Sequence, residues 1–265
     1  MKMRGLPLAC LVLGLLTTLP VAAGLERQAI DVSQAALGNR VHNLELITSS
    51  GERVELDDYI GKPLAISLIF TACVHACSVT TRHISRVVQI ARNALGDDSF
   101  HFLTIGFDYP VDSPAAMAQY ARRHGAGDRH WEFLTTDDAE GLQQLMTDLG
   151  FMVEPSPRGY DHTVQLTIVD PDGRVYRQVY GELFDTPLLV EPMKDLTLGR
   201  PSPDDGLLTR VGNRVRLFCT VYDAKADRYY FDYSLFIGIF IGAVFLGWAT
   251  IWLGLEIVNR RKLAA

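Results

Sequence analysis

Two cysteines four residues apart, Cys73 and Cys77 in "FTACVHACSV", stand with a histidine, His75, between them. Residues four apart on a helical turn face the same way, so both sulfurs are able to point at one ligand. Deprotonated sulfur is the soft donor that selects cuprous copper, zinc or iron–sulfur clusters, and it is also the nucleophile of disulfide exchange. A place at a helix N-terminus favours that thiolate through the helix dipole. Spacing alone leaves a metal site, a redox pair, a structural disulfide and a piece of buried core all open. A metal site needs a third ligand, and an imidazole would complete a three-coordinate set suited to copper in either oxidation state. The candidates are His75 and His83 nearby and His162 far along the chain, in "GYDHTVQLTIVDPDGRV".

The elements that must position these residues can be read on either side of them. "LAISLIF", 64–70, is a continuous apolar run apart from Ser67, the pattern of a strand covered on both faces, and the cysteines follow at its C-terminal end. A short strand, a turn at Ser49-Ser50-Gly51 and a second strand come before it. From Ser78 to Ala94 apolar positions recur at helical spacing, with Gly96 as a stop. Then come a strand in "FHFLTIGFD", a helix in "SPAAMAQYARRHG" opened by Ser113-Pro114, a strand in "HWEFLTT" and a helix in "DAEGLQQLMTDLG". "HTVQLTIVDPDGRVYRQVYG" is a hairpin turning at Asp170-Pro171-Asp172-Gly173. Alternation of this kind predicts an α/β fold with a central mixed sheet flanked by helices, whose ligand sites gather at the C-terminal ends of strands. Leu25 to Gly38 is expected to be poorly ordered, and "EPSPRGYDH" is expected to be an exposed loop ending in His162.

Composition and the two ends bound the setting. The 265 residues carry a net charge of −6 with acids and bases interspersed, and no basic stripe of the kind a nucleic-acid partner requires. Residues 1–23 read as a secretory signal: basic Lys2 and Arg4, an apolar run, then small residues at Val21 and Ala23. Residues 233–258 read as a transmembrane helix, with Arg260, Arg261 and Lys262 in a cytoplasmic tail at 259–265. The folded domain, 24–200, is then expected on the outer, periplasmic side, joined to the membrane by a linker and small β-like extension at 201–232. In that oxidising compartment the mature chain keeps three thiols, Cys73, Cys77 and Cys219, an odd number that points to reactivity rather than to a structural framework.

Cys73-x3-Cys77 after an apolar strand, "TIGFDYPVDSP" after the next, and "DHTVQLTIVDPDGRV" with its histidine together resemble the Sco/SenC family of thioredoxin-like copper proteins, over roughly Val41 to Leu189. The resemblance implies a thioredoxin-like domain that binds one copper ion, Cu(I) or Cu(II), through Cys73, Cys77 and His162. It implies a role in assembling the dinuclear copper centre of cytochrome c oxidase, by delivering copper or by reducing the centre's cysteines. Partners would be that copper-centre subunit or another cuproprotein, other periplasmic copper carriers or thiol reductants, and the membrane. Val74 and Ser78 stand where the family usually carries prolines, and His75 where an acidic or neutral residue is more usual. Asp108 matches the family's acidic position near the site. His75, Asp108 and Cys219 are the auxiliary candidates, while His83, Tyr160 and Trp131 are read as bystander and packing residues. The competing reading is an enzyme, a thiol-disulfide oxidoreductase or peroxide-reducing thioredoxin relative using Cys73 and Cys77 as a redox pair, which has no need of His162. A third is a redox or copper sensor signalling through the tether.

Overall fold

The computed structural model describes residues 21–73, 76–126, 130–157, 159–199 and 220–263. His75, Cys10, Cys219 and nearly all of the expected leader lie outside them. The chain divides into two units, Met1–Arg200 and Pro201–Ala265.

The first unit is built on a seven-stranded mixed sheet. Its strands in chain order are β1 (Glu45–Thr48), β2 (Arg53–Glu55), β3 (Leu64–Ile69), β4 (His101–Gly106), β5 (Trp131–Thr135), β8 (Gln165–Val169) and β9 (Val175–Tyr180), arranged β2-β1-β5-β4-β3-β8-β9. Strands β3, β4 and β5 run parallel, and the other pairings are antiparallel. All six side chains of β3 and all five of β8 are buried, so β3 reads as an apolar run interrupted only by Ser67, while β8 buries the polar Gln165 and Thr167 along with its apolar residues. Full burial of each large aliphatic side chain there contributes about 1.5–3 kcal/mol.

Helix α2 (Ala76–Leu95) crosses from β3 to β4 and α3 (Pro114–His124) from β4 to β5, while α4 (Ala139–Asp148) follows β5 and α5 (Pro187–Gly199) follows β9. Helix α2 packs against both α3 and α5. Ser113 caps α3 by accepting from the Ala116 amide, and Asp138 caps α4 by accepting from Gly141.

Two segments differ from the sequence expectation. The stretch expected to be poorly ordered is mostly helix α1 (Val21–Ala35), which starts inside the expected leader. It buries Ala29, Ser33 and the following Ala36, and Ser33 Oγ lies 2.7 Å from the Tyr180 hydroxyl. The "EPSPRGYDH" segment is a two-stranded ribbon, β6 (Val153–Ser156) paired with β7 (Gly159–His162).

Register sets the position of the candidate site. Ile69 of β3 pairs with Gly106 of β4, so the loops after both strands leave the same edge of the sheet. Strand β8 runs the other way beside β3, with Leu166 opposite Ser67, which brings its N-terminal end and the preceding His162 to that edge as well.

The second unit holds a hairpin, β10 (Thr220–Asp223) and β11 (Arg228–Phe231), followed by helix α6 (Ser234–Leu263). Within α6, Ser234–Leu253 has a mean hydropathy of 2.1 and is not buried anywhere in the protein, and it is long and apolar enough to cross a membrane.

Candidate metal centre

The cysteine loop is a tight turn between β3 and α2. Cys73 N–H donates to the Phe70 carbonyl at 3.1 Å. One of the unpaired amides at the start of α2, that of Cys77, donates to Cys73 Sγ at 3.4 Å, so the first sulfur helps to cap the helix that carries the second. Both thiols are free. Cys77 is 5% exposed, and burial pushes its thiol well above the ordinary range, with Cys73 beside it adding to the rise. Amides of Phe70 and Cys77 pull the other way and lose. The expectation that a helix N-terminus favours thiolate is therefore corrected at Cys77: a dipole contributes about 0.3–1 kcal/mol, whereas an uncompensated buried charge costs several.

His162 closes β7 and is half-buried among aromatic rings, with centroids 6.0 Å from Phe70, 5.8 Å from Phe107 and 5.3 Å from Phe151. Its Nδ1 lies 3.1 Å from the Thr163 carbonyl. A carbonyl only accepts, so Nδ1 carries the proton and Nε2 keeps its lone pair for a metal. Burial lowers the pKa of the ring and favours this neutral form, against the opposing effects of the Thr163 carbonyl and Asp161. Gly159 supplies the turn into β7 with φ +111°, and a Cβ there would come within 2.9 Å of the Phe70 ring. Glycine thus permits both the turn and the close packing of ribbon on cysteine loop.

The loop after β4 holds these two arms. Asp112 is fully buried, and its Oδ1 accepts from the Thr71 amide at 2.7 Å and the Thr71 hydroxyl at 2.6 Å, two residues before Cys73. Its Oδ2 accepts from the Asp108 amide at 2.8 Å. Burial raises the pKa of the carboxyl, while the Thr71 and Asp108 donors favour its ionised form. Asp108 Oδ1 in turn accepts from the Tyr160 hydroxyl at 2.9 Å, two residues before His162. Tyr160, read from sequence as packing, therefore also ties the ribbon down. Gly106 lets this loop sit close, since a Cβ would fall 2.6 Å from Asp112 Cβ. Sequence reasoning chose Asp108 and missed Asp112, whose signal was a second acid directly before the capping Ser113 in "GFDYPVDSP".

Cys77 and His162 line one pocket of about 10 Å³, together with Ser67, Thr80, Thr81 and Gln165. Among the described residues no three of His, Cys, Asp and Glu stand close enough to hold a metal together, so Cys73, Cys77 and His162 share an edge without forming a closed coordination sphere. The donor set nevertheless fits a soft metal: two free sulfurs and a neutral imidazole with a fixed tautomer. His83 is committed elsewhere, its Nε2 2.7 Å from the Phe184 carbonyl and its Nδ1 3.1 Å from Arg86. Trp131 is buried, with Nε1 donating to Thr104 Oγ1 at 3.0 Å.

Residues 34–196, more than half of the chain, match the family model described as SCO1/SenC. The chain belongs to the SCO1/SenC family. Among solved structures, this SCO1/SenC chain is similar to a SCO1/SenC family lipoprotein from Bacillus anthracis (18% identity, TM-score 0.55, covering 60% of this chain and 96% of that one). It is also similar to BsSco, described as a member of the Sco family of cytochrome c oxidase assembly proteins with a disulfide switch (19% identity, TM-score 0.55, 62% and 96%). A third is ScoI from Bradyrhizobium japonicum with copper bound (22% identity, TM-score 0.50, 60% and 99%). No curated protein sequence matches. At these identities the structures establish the fold, the thioredoxin-like α/β arrangement of the Sco proteins.

Proposed function

We propose that this SCO1/SenC protein is a membrane-tethered copper chaperone that binds one copper ion through Cys73, Cys77 and His162 and serves the dinuclear copper centre of cytochrome c oxidase. The carrying observation is that His162, with Nδ1 engaged and Nε2 left as donor, lines the same pocket as Cys77 at the edge where the cysteine loop emerges. Family membership supports both the metal and the role, since one similar structure is of a copper-bound Sco protein and another belongs to the cytochrome c oxidase assembly proteins. Copper is cargo here. Loading requires the ribbon carrying His162 and the cysteine turn to close on the ion, and a soft metal displaces the proton that burial keeps on Cys77. Release follows by ligand exchange, one thiolate leaving as an acceptor thiolate arrives, so the ion passes between soft sites. Helix α6 supplies the tether, supported by its length and apolar, unburied surface.

A second reading, reduction of the acceptor's cysteines by the Cys73/Cys77 pair, is favoured by the two free sulfurs lying side by side and by the disulfide switch described for BsSco. His162→Ala separates the readings. Loss of copper with intact disulfide turnover supports both roles at one site, whereas unchanged copper stoichiometry and spectrum would remove His162 from the site.

A further inference from the structure

Thr80 lies one helical turn beyond Cys77 on α2 and is 8% exposed. Its hydroxyl is buried and has no hydrogen-bond partner among the described residues. An unpaired buried hydroxyl is costly, and native proteins rarely keep one without use. Thr80 lines the small pocket that Cys77 and His162 also line. The donor group of Gln165, another polar residue there, is already spent: its Nε2 donates to the Leu149 carbonyl at 3.0 Å and to Thr167 Oγ1 at 3.2 Å. The Thr81 hydroxyl is likewise 2.9 Å from that of Tyr120. Thr80 is thus a donor held ready beside a sulfur whose charged form has the greatest need of one.

We propose that Thr80 is a positioning residue for Cys77, its hydroxyl supplying a hydrogen bond to the sulfur through the pocket, which is about the size that holds one relaying water. The proposal deepens the copper-site reading and rests on it for the metal-loaded state. It also applies to the metal-free dithiol. Hydrogen bonds to a ligating sulfur draw electron density from it, which tunes both the potential of a bound copper and the energy of its sulfur-to-copper charge transfer. In the metal-free pair the acceptor is the Cys77 thiol sulfur, which loses its place beside the donor when the disulfide forms, so without the donor the reduced form is the state that loses.

The test compares the full-length protein in detergent with Thr80→Val, which keeps the shape and removes the donor, and Thr80→Ser, which keeps the donor. The first readout needs no metal: equilibration of the Cys73–Cys77 disulfide in dithiothreitol buffers, where dithiothreitol gives up two electrons and two protons and becomes its cyclic disulfide. Thr80→Val is expected to shift this equilibrium toward the protein disulfide by about tenfold, or about 30 mV for a two-electron couple. The second is the copper(II)–thiolate absorption band, expected to move to lower energy in Thr80→Val. Thr80→Ser is expected to match the wild type in both. Thr80→Val equal to wild type in both readouts overturns the proposal. So does an equal shift in both variants, which would make the effect one of packing. Failure of the wild type to bind copper would sink the copper-site reading and leave the dithiothreitol result standing for Thr80.

Discussion

At the scale of residues, burial decides the chemistry of the site more than sequence position does. Cys77 sits in the first helical turn, yet its burial outweighs the dipole and keeps the thiol protonated, while Cys73 is partly open to solvent. In reduced, metal-free protein, iodoacetamide should therefore label Cys73 at least about tenfold faster than Cys77, as resolved by peptide mass spectrometry. Equal labelling would contradict the buried placement of Cys77. The same physics governs His101, at the far end of β4. Burial, first, and nearby Lys62 lower its pKa from 6.5 to about 4. The unfolded chain then takes up a proton that the folded one refuses, so the neutral ring's contribution is complete above about pH 6.5 and is lost as the pH falls towards 4. Burial of Asp112 acts in the opposite sense, since its raised pKa favours the folded state on acidification. Melting of the domain, followed by near-ultraviolet circular dichroism from about pH 7 to about pH 4.5, should show a loss that His101→Gln reduces. A slope unchanged by that substitution would assign the acid sensitivity to other groups.

At the scale of elements, the loop between β4 and α3 joins the cysteine turn to the histidine ribbon through Thr71, Asp112, Asp108 and Tyr160. Asp112→Ala leaves three part-buried donors without their acceptor and should cost about 3 kcal/mol in chemical denaturation, with Asp112→Asn, which keeps one acceptor oxygen, costing less. A loss below about 1 kcal/mol for Asp112→Ala would show that the loop is held by other means. The sequence made much of this frame legible. The apolar run in β3, interrupted only by Ser67, and the Asp-Pro-Asp-Gly turn between β8 and β9 are local signals, and the tertiary structure agrees with them. Ribbon β6–β7 was hidden because Pro155, Pro157 and Gly159 are loop signals, and proline is tolerated in a two-stranded ribbon that leaves one side of each strand unpaired. Helix α1 was hidden because the residues it buries, Ala29, Ser33 and Ala36, are small or polar and make a weak apolar stripe. Helix α5 carries Pro192 within it, which breaks the pattern a reader relies on. Of the proposed site, the cysteines stood out by type and spacing, and His162 was singled out among the histidines only by the family resemblance. Asp112 was not, because no local pattern reveals a carboxylate that is buried by the folding of two distant loops.

At the scale of the whole molecule, the SCO1/SenC domain is followed by a helix whose apolar span, Ser234–Leu253, is unburied and long enough to cross a membrane. Removal of residues 234–263 should shift the protein from the carbonate-washed membrane fraction to the soluble one. Retention of the shortened chain would place the anchor in the N-terminal apolar run instead. The central claim is that Cys73, Cys77 and His162 hold one copper. Its most direct test is anaerobic titration of the full-length, detergent-solubilised protein with cuprous ion against a competing chelator, alongside Cys73→Ser, Cys77→Ser and His162→Ala. The expected result is one tightly held copper per chain, with loss on replacing either cysteine and weakening by at least about tenfold on replacing the histidine. Copper bound with unchanged stoichiometry and affinity by His162→Ala, or by either cysteine variant, would contradict it.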